Sequence, residues 1–266
     1  MHFHGRTALV TGASTGIGEH LAAELAARGA DLVVVARSGD RLRALAERLG
    51  AAHGRRVDVV TADLAEPGAG ARVVAEVERL GVTVDVLVNN AGFALSGPVA
   101  GAARDTGVDR LVSQVQVNCT ALVDLTARLL PGMVDRRSGV VLNVASTAAF
   151  QPVPNMAVYA ATKAFVLSFT EALWVENRRT GVRVLAVCPG PTETPFFDTA
   201  GQDSVGDLPR RTATDVVATA MGALDGSGPT VVDGPLNKVT AAAPRFAPRR
   251  VTALLSKVVT TRRGRR

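Results

Sequence analysis

Short runs of apolar residues alternate along the chain with longer segments in which apolar residues recur every three or four positions. Continuous Val/Leu runs are typical of strands buried on both faces, whereas recurrence at helical spacing is typical of an amphipathic helix. The pattern predicts strands at 7–12, 31–37, 56–64, 84–92, 139–146, 181–190 and 230–234. It predicts helices at 16–29, 40–50, 69–80, 108–133, 157–180 and 213–224. Because strands that alternate with helices pair in parallel, we predict an α/β fold, a Rossmann-type doubly wound parallel sheet of about seven strands with helices on both faces.

The predicted elements form a single domain over residues 1–234, which would bind cofactor and substrate. Within it, residues 191–211 have no clear period, and a loop of that length in a compact domain is typical of a substrate lid. Residues 235–266 are predicted to form a separate basic amphipathic tail.

Composition and charge exclude several classes of protein. The two cysteines lack the spacing of a zinc site or a redox motif, so no metal is expected. The N-terminus lacks the pattern of a signal peptide, and no stretch reaches the roughly 18 apolar residues of a membrane span, so we expect a cytoplasmic location. From Pro244 onward the chain carries eight Lys or Arg and no acid, which exceeds the total formal charge of +6. The preceding body is therefore slightly acidic, which argues against nucleic-acid binding.

The basic tail has several possible interactions. Its apolar residues at helical spacing are Val251, Leu254, Leu255, Val258 and Val259, with Arg and Lys around them. Such a helix can dock on the body or on a partner subunit, it can remain disordered, or it can lie on an anionic membrane surface as a peripheral contact.

A glycine-rich turn follows the first predicted strand. Gly12, Gly16 and Gly18 lie between that strand and the next helix, where glycines permit a tight turn and the helix N-terminus meets a pyrophosphate. This strand–turn–helix context indicates a dinucleotide site. The second strand ends at Ala36 and Arg37, followed by Ser38, where an acid would bind the ribose of NAD and an arginine accommodates the 2′-phosphate of NADP. We therefore predict NADP(H), with NAD(H) less favoured.

Three side chains suggest acid–base chemistry. Tyr159 and Lys163 are four residues apart on a predicted helix and share a face. The ammonium group is expected to stabilise the phenolate and lower the tyrosine pKa toward the working pH, so that Tyr159 exchanges a proton with an alkoxide or alcohol. Ser146 ends the strand at 139–146, where its hydroxyl can polarise a carbonyl.

These motifs, in this order, resemble the short-chain dehydrogenase/reductase family over roughly residues 5–234. The match consists of TGASTGIG at 11–18, NNAG at 89–92, the serine strand, YAATK at 159–163 and CPGPTET at 188–194, with Asn118 at the family's fourth catalytic position. The stretches QVNCTALVDLTARLLPGM and PGPTETPF are similar to a bacterial subgroup of general-substrate reductases.

The resemblance implies roles for further residues. Tyr159 would be the general acid/base, Ser146 the carbonyl-binding partner, and Lys163 the residue that holds the nicotinamide ribose, while Asn118 would anchor a water-linked proton relay. The implied cofactor-binding set is Gly12, Ser14, Thr15, Gly16, Ile17, Gly18, Arg37, Ser38, Asp63, Leu64, Asn90, Ala91, Gly92, Tyr159, Lys163, Pro189, Gly190, Thr192 and Thr194. The family commonly has an aliphatic residue in place of Thr192, and some NADP-preferring members carry an extra basic residue in the glycine turn that this chain lacks.

The substrate pocket is predicted to be mainly apolar and to accept a hydrophobic ketone or aldehyde. Its candidate lining flanks the motifs: Phe93, Leu95, Phe150, Val153, Pro154, Met156, Phe196 and Phe197. The alternative is that several of these residues pack in the core.

The resemblance also implies a homodimer or homotetramer, assembled through the helices at 108–133 and 157–180. The leading function is an NADP(H)-dependent oxidoreductase that interconverts a carbonyl and an alcohol. The alternatives are a non-catalytic NADP(H)-binding sensor, which would typically lack the tyrosine or lysine kept here, and a methyltransferase, which has no use for either residue.

Overall fold

The structure is a computed structural model that describes residues 1–196 and 209–261, with side chains through Ser256. Each of the seven predicted apolar runs forms a strand. Within the described ranges the strands are β1 (Thr7–Thr11), β2 (Asp31–Ala36), β3 (Val57–Thr61), β4 (Val84–Asn89), β5 (Gly139–Val144), β6 (Val182–Cys188), β7 (Thr192–Glu193), β8 (Arg211–Thr212) and β9 (Thr230–Val232), of which β7 and β8 were not predicted. The helices are α1 (Gly16–Ala27), α2 (Gly39–His53), α3 (Ala69–Arg79), α4 (Val99–Asp105), α5 (Val108–Val115), α6 (Ala121–Asp135), α7 (Ala157–Glu176), α8 (Ala213–Leu224), α9 (Pro235–Ala242) and α10 (Arg249–Thr261).

Seven of the described strands form one parallel sheet, in the order β3-β2-β1-β4-β5-β6-β9. The order reverses between β1 and β4, and such a switch point leaves a crevice beyond the carboxyl ends of the two strands. One apolar cluster packs α1, α2 and α8 on one side of the sheet, and a second packs α3, α6 and α7 on the other. The predicted Rossmann-type α/β fold is confirmed.

A buried polar network fixes β4 and β5 relative to the helices. Asn89 donates hydrogen bonds from Nδ2 to Asn143 Oδ1 (2.9 Å) and to Thr126 Oγ1 (3.0 Å), and Asn143 donates to Thr170 Oγ1 (2.9 Å). A slip of either strand by one residue would leave these interior groups unpaired, which is costly. The network therefore sets the positions of the residues that follow the two strands.

The predicted helix at 108–133 is interrupted. Residues Gln116–Thr120 form a π-helical turn between α5 and α6. Such turns are rare and occur preferentially at functional sites. The segment before α5, for which the pattern predicted no element, contains α4.

The segment predicted as a tail begins with α9, continues through a 3₁₀ turn at Ala243–Phe246 and ends with α10. Helix α10 contacts the body through small polar residues, because Thr252 and Ser256 are buried while Leu254 and Leu255 are exposed. Docking of this helix therefore does not use its apolar face. None of the described helices is long and apolar enough to cross a membrane.

Beyond β6, the two-residue strand β7 pairs in parallel with β8. Arg211 in β8 also forms an ion pair with the fully buried Asp233, with Nε 2.7 Å from Oδ2. Asp233 accepts a further hydrogen bond from Thr219. The two ends of the predicted lid are thus fixed to the body, whereas residues 197–208 at its centre lie outside the described residues.

Candidate active site

A cavity of about 890 Å³ opens at the switch point between β1 and β4. It is lined by the glycine turn, the ends of β2, β4, β5 and β6, and the first part of α7. Cavities of this size are typical of small-molecule sites in open α/β sheets.

The glycine turn lies at one end of the cavity. Gly12 has a φ of +66°, and a Cβ on it would lie 2.9 Å from the Ala91 backbone. A Cβ on Gly18 would lie 2.3 Å from the carbonyl oxygen of Gly12, so glycine is required for α1 to approach the turn. No side chain caps the N-terminus of α1, whose amide groups remain free to meet an anion. These observations fit a bound dinucleotide pyrophosphate.

The turn is tied to the end of β4. Asn90 donates from Nδ2 to the carbonyl oxygens of Thr11 (2.9 Å) and Gly12 (3.2 Å), and the Thr11 hydroxyl accepts from the backbone amides of Asn90 and Ala91 (both 3.0 Å). Asn90 therefore holds the two sides of the crevice together. Ala91 and Gly92 line the cavity beside it.

The end of β2 supplies cationic residues to the cavity. Arg37 and Ser38 line it, as predicted, and so does Arg41 from the first turn of α2. Both guanidinium groups are exposed, and neither forms an ion pair with a described residue. Asp63 and Leu64 line the same end, beyond β3. Arg41 belongs to none of the motifs, although its position four residues after Arg37 offered a signal.

Ser146, Tyr159 and Lys163 meet at the other end of the cavity. Ser146 follows β5, and its hydroxyl accepts a hydrogen bond from the amide of Ala148 (3.1 Å) and donates one to the carbonyl of Pro189 (3.5 Å). Lys163 is one helical turn beyond Tyr159, and its Nζ donates to the carbonyl oxygen of Val144 at 2.7 Å. The two α7 side chains are largely buried, at 9% and 5% exposed. The structure thus brings all three predicted groups into one site.

Burial dominates the protonation of this group. It raises the pKa of Tyr159 to about 12, a change that the neighbouring Ser146 hydroxyl only partly opposes. Burial also lowers the pKa of Lys163 to about 8. The expected fall of the tyrosine pKa toward the working pH is therefore not met in this structure, where burial sets the pKa and the Lys163 ammonium group is directed toward the Val144 carbonyl.

Because Tyr159 is the only tyrosine in the chain, its ionisation can be measured directly. We expect the near-ultraviolet absorbance of phenolate to appear with a midpoint near 12 in the folded protein, against about 10 for the unfolded chain. Because the folded state binds this proton more tightly, stability is retained below pH 10 and falls as the pH rises from 10 toward 12. A spectrophotometric titration tests this expectation, with Tyr159→Phe as the blank. A folded-state midpoint at or below 10 would contradict it.

Asn118 lies in the π-turn behind the cavity and is buried. Its Oδ1 accepts from the amide of Phe93 (3.1 Å), and its Nδ2 donates to the Phe93 carbonyl (3.1 Å) and to Thr162 Oγ1 (3.0 Å). The side chain therefore joins the loop after β4 to α7 and does not line the cavity.

The end of β6 lines the cavity opposite α1. Pro189, Gly190, Thr192 and Thr194 all contribute. Thr192 is buried and donates to the carbonyl of Gly190 at 3.0 Å. Thr194 lies across from Gly16, and a Cβ on Gly16 would be 3.1 Å from the Thr194 side chain. In the cofactor set, Ser14, Thr15, Gly16 and Ile17 also line the cavity, whereas Gly18 packs beneath it.

The structure places only some of the predicted substrate-lining residues at the cavity. Phe93, Val153, Met156 and Phe196 line the cavity. Leu95, Phe150 and Pro154 do not, and Phe150 packs instead against the core cluster of Leu122 and Val166. Phe197 lies outside the described residues.

The C-terminal segment supplies lining that no motif indicated. Leu236, Asn237 and Thr240 of α9, and Thr252, Leu255 and Ser256 of α10, line the cavity. Arg110 of α5 does so as well, with its guanidinium 4.8 Å from the centre of the Phe93 ring. These residues reach the site only through tertiary packing, so their spacing in the sequence gave no signal.

The fold and site together define a Rossmann-type oxidoreductase. The profile of the short chain dehydrogenase family matches residues 6–204, and the chain belongs to this short-chain dehydrogenase/reductase family. Its members are enzymes that act on CH–OH and C=O groups with a nicotinamide cofactor, and this chain is an oxidoreductase of that class.

Two curated relatives illustrate the similarity. A putative ketoacyl reductase of Streptomyces coelicolor is 42% identical over 192 residues, covering 71% of each chain. A short chain dehydrogenase of Pseudocercospora fijiensis is 37% identical over 190 residues, which is 71% of this chain but only 60% of that longer protein.

Solved structures extend the similarity over the described fold. A short-chain dehydrogenase from Sphingobium yanoikuyae in complex with NADPH is 33% identical, with a TM-score of 0.80 over 98% of both chains. A 3-ketoacyl-(acyl-carrier-protein) reductase from Brucella melitensis complexed with NADH is 32% identical, with a TM-score of 0.73 over 87% of this chain and 98% of that one.

Proposed function

We propose that this enzyme reduces a hydrophobic ketone or aldehyde to an alcohol with NADPH, or catalyses the reverse reaction. The observation that carries the proposal is the meeting of Ser146, Tyr159 and Lys163 in one cavity with the glycine turn. When bound, the nicotinamide cofactor supplies or accepts the hydride.

The residues of the chain handle the proton. With a pKa of about 12, Tyr159 is neutral across the physiological range and is poised to donate its hydroxyl proton to an alkoxide. Ser146 donates a hydrogen bond to the carbonyl oxygen, where negative charge develops during reduction. The Lys163 ammonium lies one helical turn from Tyr159, with Nζ 5.8 Å from the centre of the ring, where it can hold the nicotinamide ribose and stabilise the phenolate left after Tyr159 has given up its proton.

We further propose that Asn118 acts from behind the site. Its hydrogen bonds to Phe93 and Thr162 hold the π-turn against α7, beside Lys163. A water-linked relay from this turn toward Lys163 would carry the proton from solvent. Because the amide of Asn118 is engaged in these bonds, its contribution is to position the turn.

The pair Arg37 and Arg41 supports a preference for NADP(H). Charge-assisted hydrogen bonds to a phosphate are each worth about 1.5–3 kcal/mol, so we expect Arg37→Ala to raise the KM for NADPH by about ten- to a hundredfold. The double variant with Arg41→Ala should raise the KM for NADPH further. The KM for NADH should change little in both variants, because NADH lacks the 2′-phosphate. Steady-state kinetics with both cofactors measure this difference.

Arg43→Ala is the matched control for this prediction. Arg43 is on α2, as is Arg41, but it pairs with Asp40 and does not line the cavity. Its removal should therefore leave both KM values unchanged. If Arg37→Ala raises the KM for NADPH and the KM for NADH by the same factor, the arginine does not bind the 2′-phosphate.

The lining around the chemical centre supports a hydrophobic substrate. Val153, Met156, Phe196, Leu236 and Leu255 provide apolar surface, and Thr240 and Thr252 are among the polar groups beside them. This composition suits a largely apolar carbonyl compound with one polar anchor.

We also propose a homodimer or homotetramer. The outer faces of α5 and α7 carry exposed apolar residues that a second copy would cover, and these are Val108, Val112, Val115, Phe165 and Val175. A cytoplasmic location stays a prediction.

The proposal is tested by following NADPH oxidation with ketones and aldehydes of graded size and polarity. Turnover that increases with the apolar character of the substrate supports it. A preference for small, highly polar carbonyl compounds would overturn the substrate class. Tight NADPH binding without turnover on any compound would favour the sensor, which the intact Ser146, Tyr159 and Lys163 argue against.

A further inference from the structure

The mouth of the cavity is bordered by the C-terminal segment from Pro235 to Ser256, which we name the C-terminal rim. It comprises α9, the 3₁₀ turn at Ala243–Phe246 and the described side chains of α10. Thr252 and Ser256 lie on its inner side, where they are 8% and 6% exposed and line the cavity. The rim therefore has one side in the site and the other toward solvent.

The outer side of the C-terminal rim is apolar. Phe246 is 88% exposed, the highest value among the large apolar side chains that the structure describes as exposed. Two of the exposed residues, Leu236 and Leu255, also line the cavity, so the apolar surface continues into its mouth. The exposed set is Leu236, Val239, Phe246, Val251, Leu254 and Leu255.

The same segment is strongly basic. From Gly234 to the end, the chain carries nine Lys or Arg and no Asp or Glu. Four of the nine have described side chains, all exposed and none in an ion pair with a described residue: Lys238, Arg245, Arg249 and Arg250. The charge is therefore available to an external anionic partner.

We propose that the C-terminal rim binds the surface of an anionic lipid bilayer, with the cavity mouth toward the lipid. Apolar side chains surrounded by basic residues are the combination that enters the boundary between headgroups and acyl chains. Each basic residue near such a surface strengthens binding about fivefold. A second copy of this chain is a poor occupant, because an isologous contact would bring two strongly positive segments together.

This orientation has a consequence for substrate entry, which rests on the proposed function. A hydrophobic carbonyl compound dissolved in the bilayer would reach Leu236 and Leu255 without crossing water. The C-terminal rim would then select substrates by their partition into lipid as well as by their fit to the cavity.

The test is co-sedimentation of the full-length protein with vesicles of phosphatidylcholine alone or mixed with phosphatidylglycerol. We expect binding to the mixed vesicles, weakened by salt, and little binding to the neutral ones. Phe246→Ser combined with Leu254→Ser removes apolar surface that does not line the cavity, and should weaken binding about tenfold or more. Val99→Ser, at an exposed apolar position of α4, is the matched control and should bind like wild type.

Neutralisation of the charge provides a second arm. Arg245, Arg249 and Arg250 replaced by Gln should weaken binding to mixed vesicles by about a hundredfold, at about fivefold for each charge. Absence of binding to mixed vesicles, or equal loss in Val99→Ser, would overturn the proposal. If the wild type does not bind vesicles and the Phe246→Ser/Leu254→Ser variant forms a smaller assembly in solution than the wild type, the occupant of the rim is a second copy of this chain and not a bilayer.

NADPH oxidation with a water-soluble carbonyl compound, measured without vesicles, separates this proposal from the proposed function. Turnover without vesicle binding overturns the lipid contact alone. Vesicle binding without turnover on any substrate leaves the lipid contact standing and overturns the reductase.

Discussion

Tyr159→Phe should lower the rate of carbonyl reduction by about 10²–10⁴-fold, which is the usual contribution of a positioned general acid. The substitution removes only the hydroxyl, and the ring retains its packing against Phe196 at a centroid distance of 5.5 Å. The loss should therefore appear in kcat, while the Kd for NADPH and the melting temperature stay close to wild type. NADPH oxidation under saturating cofactor measures it.

Two results would contradict this expectation. Turnover near the wild-type level would remove Tyr159 from the proton transfer. A large fall in melting temperature would assign the lost activity to misfolding, in which case Ser146→Ala becomes the informative variant, since Ser146 lines the same cavity from the end of β5.

Gly18→Ala should damage both cofactor binding and stability. The added methyl group would lie 2.3 Å from the Gly12 carbonyl and from the Asn90 amide, which hold the crevice together. Overpacking of this kind costs about 1–3 kcal/mol, and relief of the clash must move α1 away from the turn. We expect a melting temperature lower by about 2–10 °C, and NADPH affinity at least about tenfold weaker.

Gly222→Ala is the control for this prediction. Gly222 lies in α8, and an added methyl group there would meet no atom within 4 Å beyond the backbone of its own helix. Alanine should therefore be neutral or should stabilise the helix by about 0.5–1 kcal/mol. Thermal unfolding and NADPH titration of the two variants separate a local clash from a general effect of alanine. Similar results for both would show that α1 tolerates the methyl group.

The sequence was most informative where one strong local signal decided the structure. Continuous Val/Leu runs predicted the strands of the main sheet to within a few residues, because burial on both faces leaves little other use for such runs. Helix α8 has the predicted ends, 213 and 224, and its start is fixed locally by a capping box between Thr212 and Asp215.

Features that depend on tertiary contacts could not be predicted in this way. The π-turn at Gln116–Thr120 inserts an irregular turn into a segment whose apolar period suggested one helix. In α10, the helical spacing of the apolar residues left docking, disorder and membrane contact open, and it did not indicate that Thr252 and Ser256 would be the buried residues. The raised pKa of Tyr159 likewise depends on burial, which the four-residue spacing to Lys163 does not reveal.

The pairing of β7 with β8 makes the main sheet independent of the segment that connects these two strands. Arg211 anchors this ladder to the buried Asp233, so the ends of the intervening segment are joined whatever sequence connects them. Doubling the length of such a connection costs only about 0.6 kcal/mol. We therefore expect insertions between residues 196 and 209 to be accommodated without redesign of the sheet.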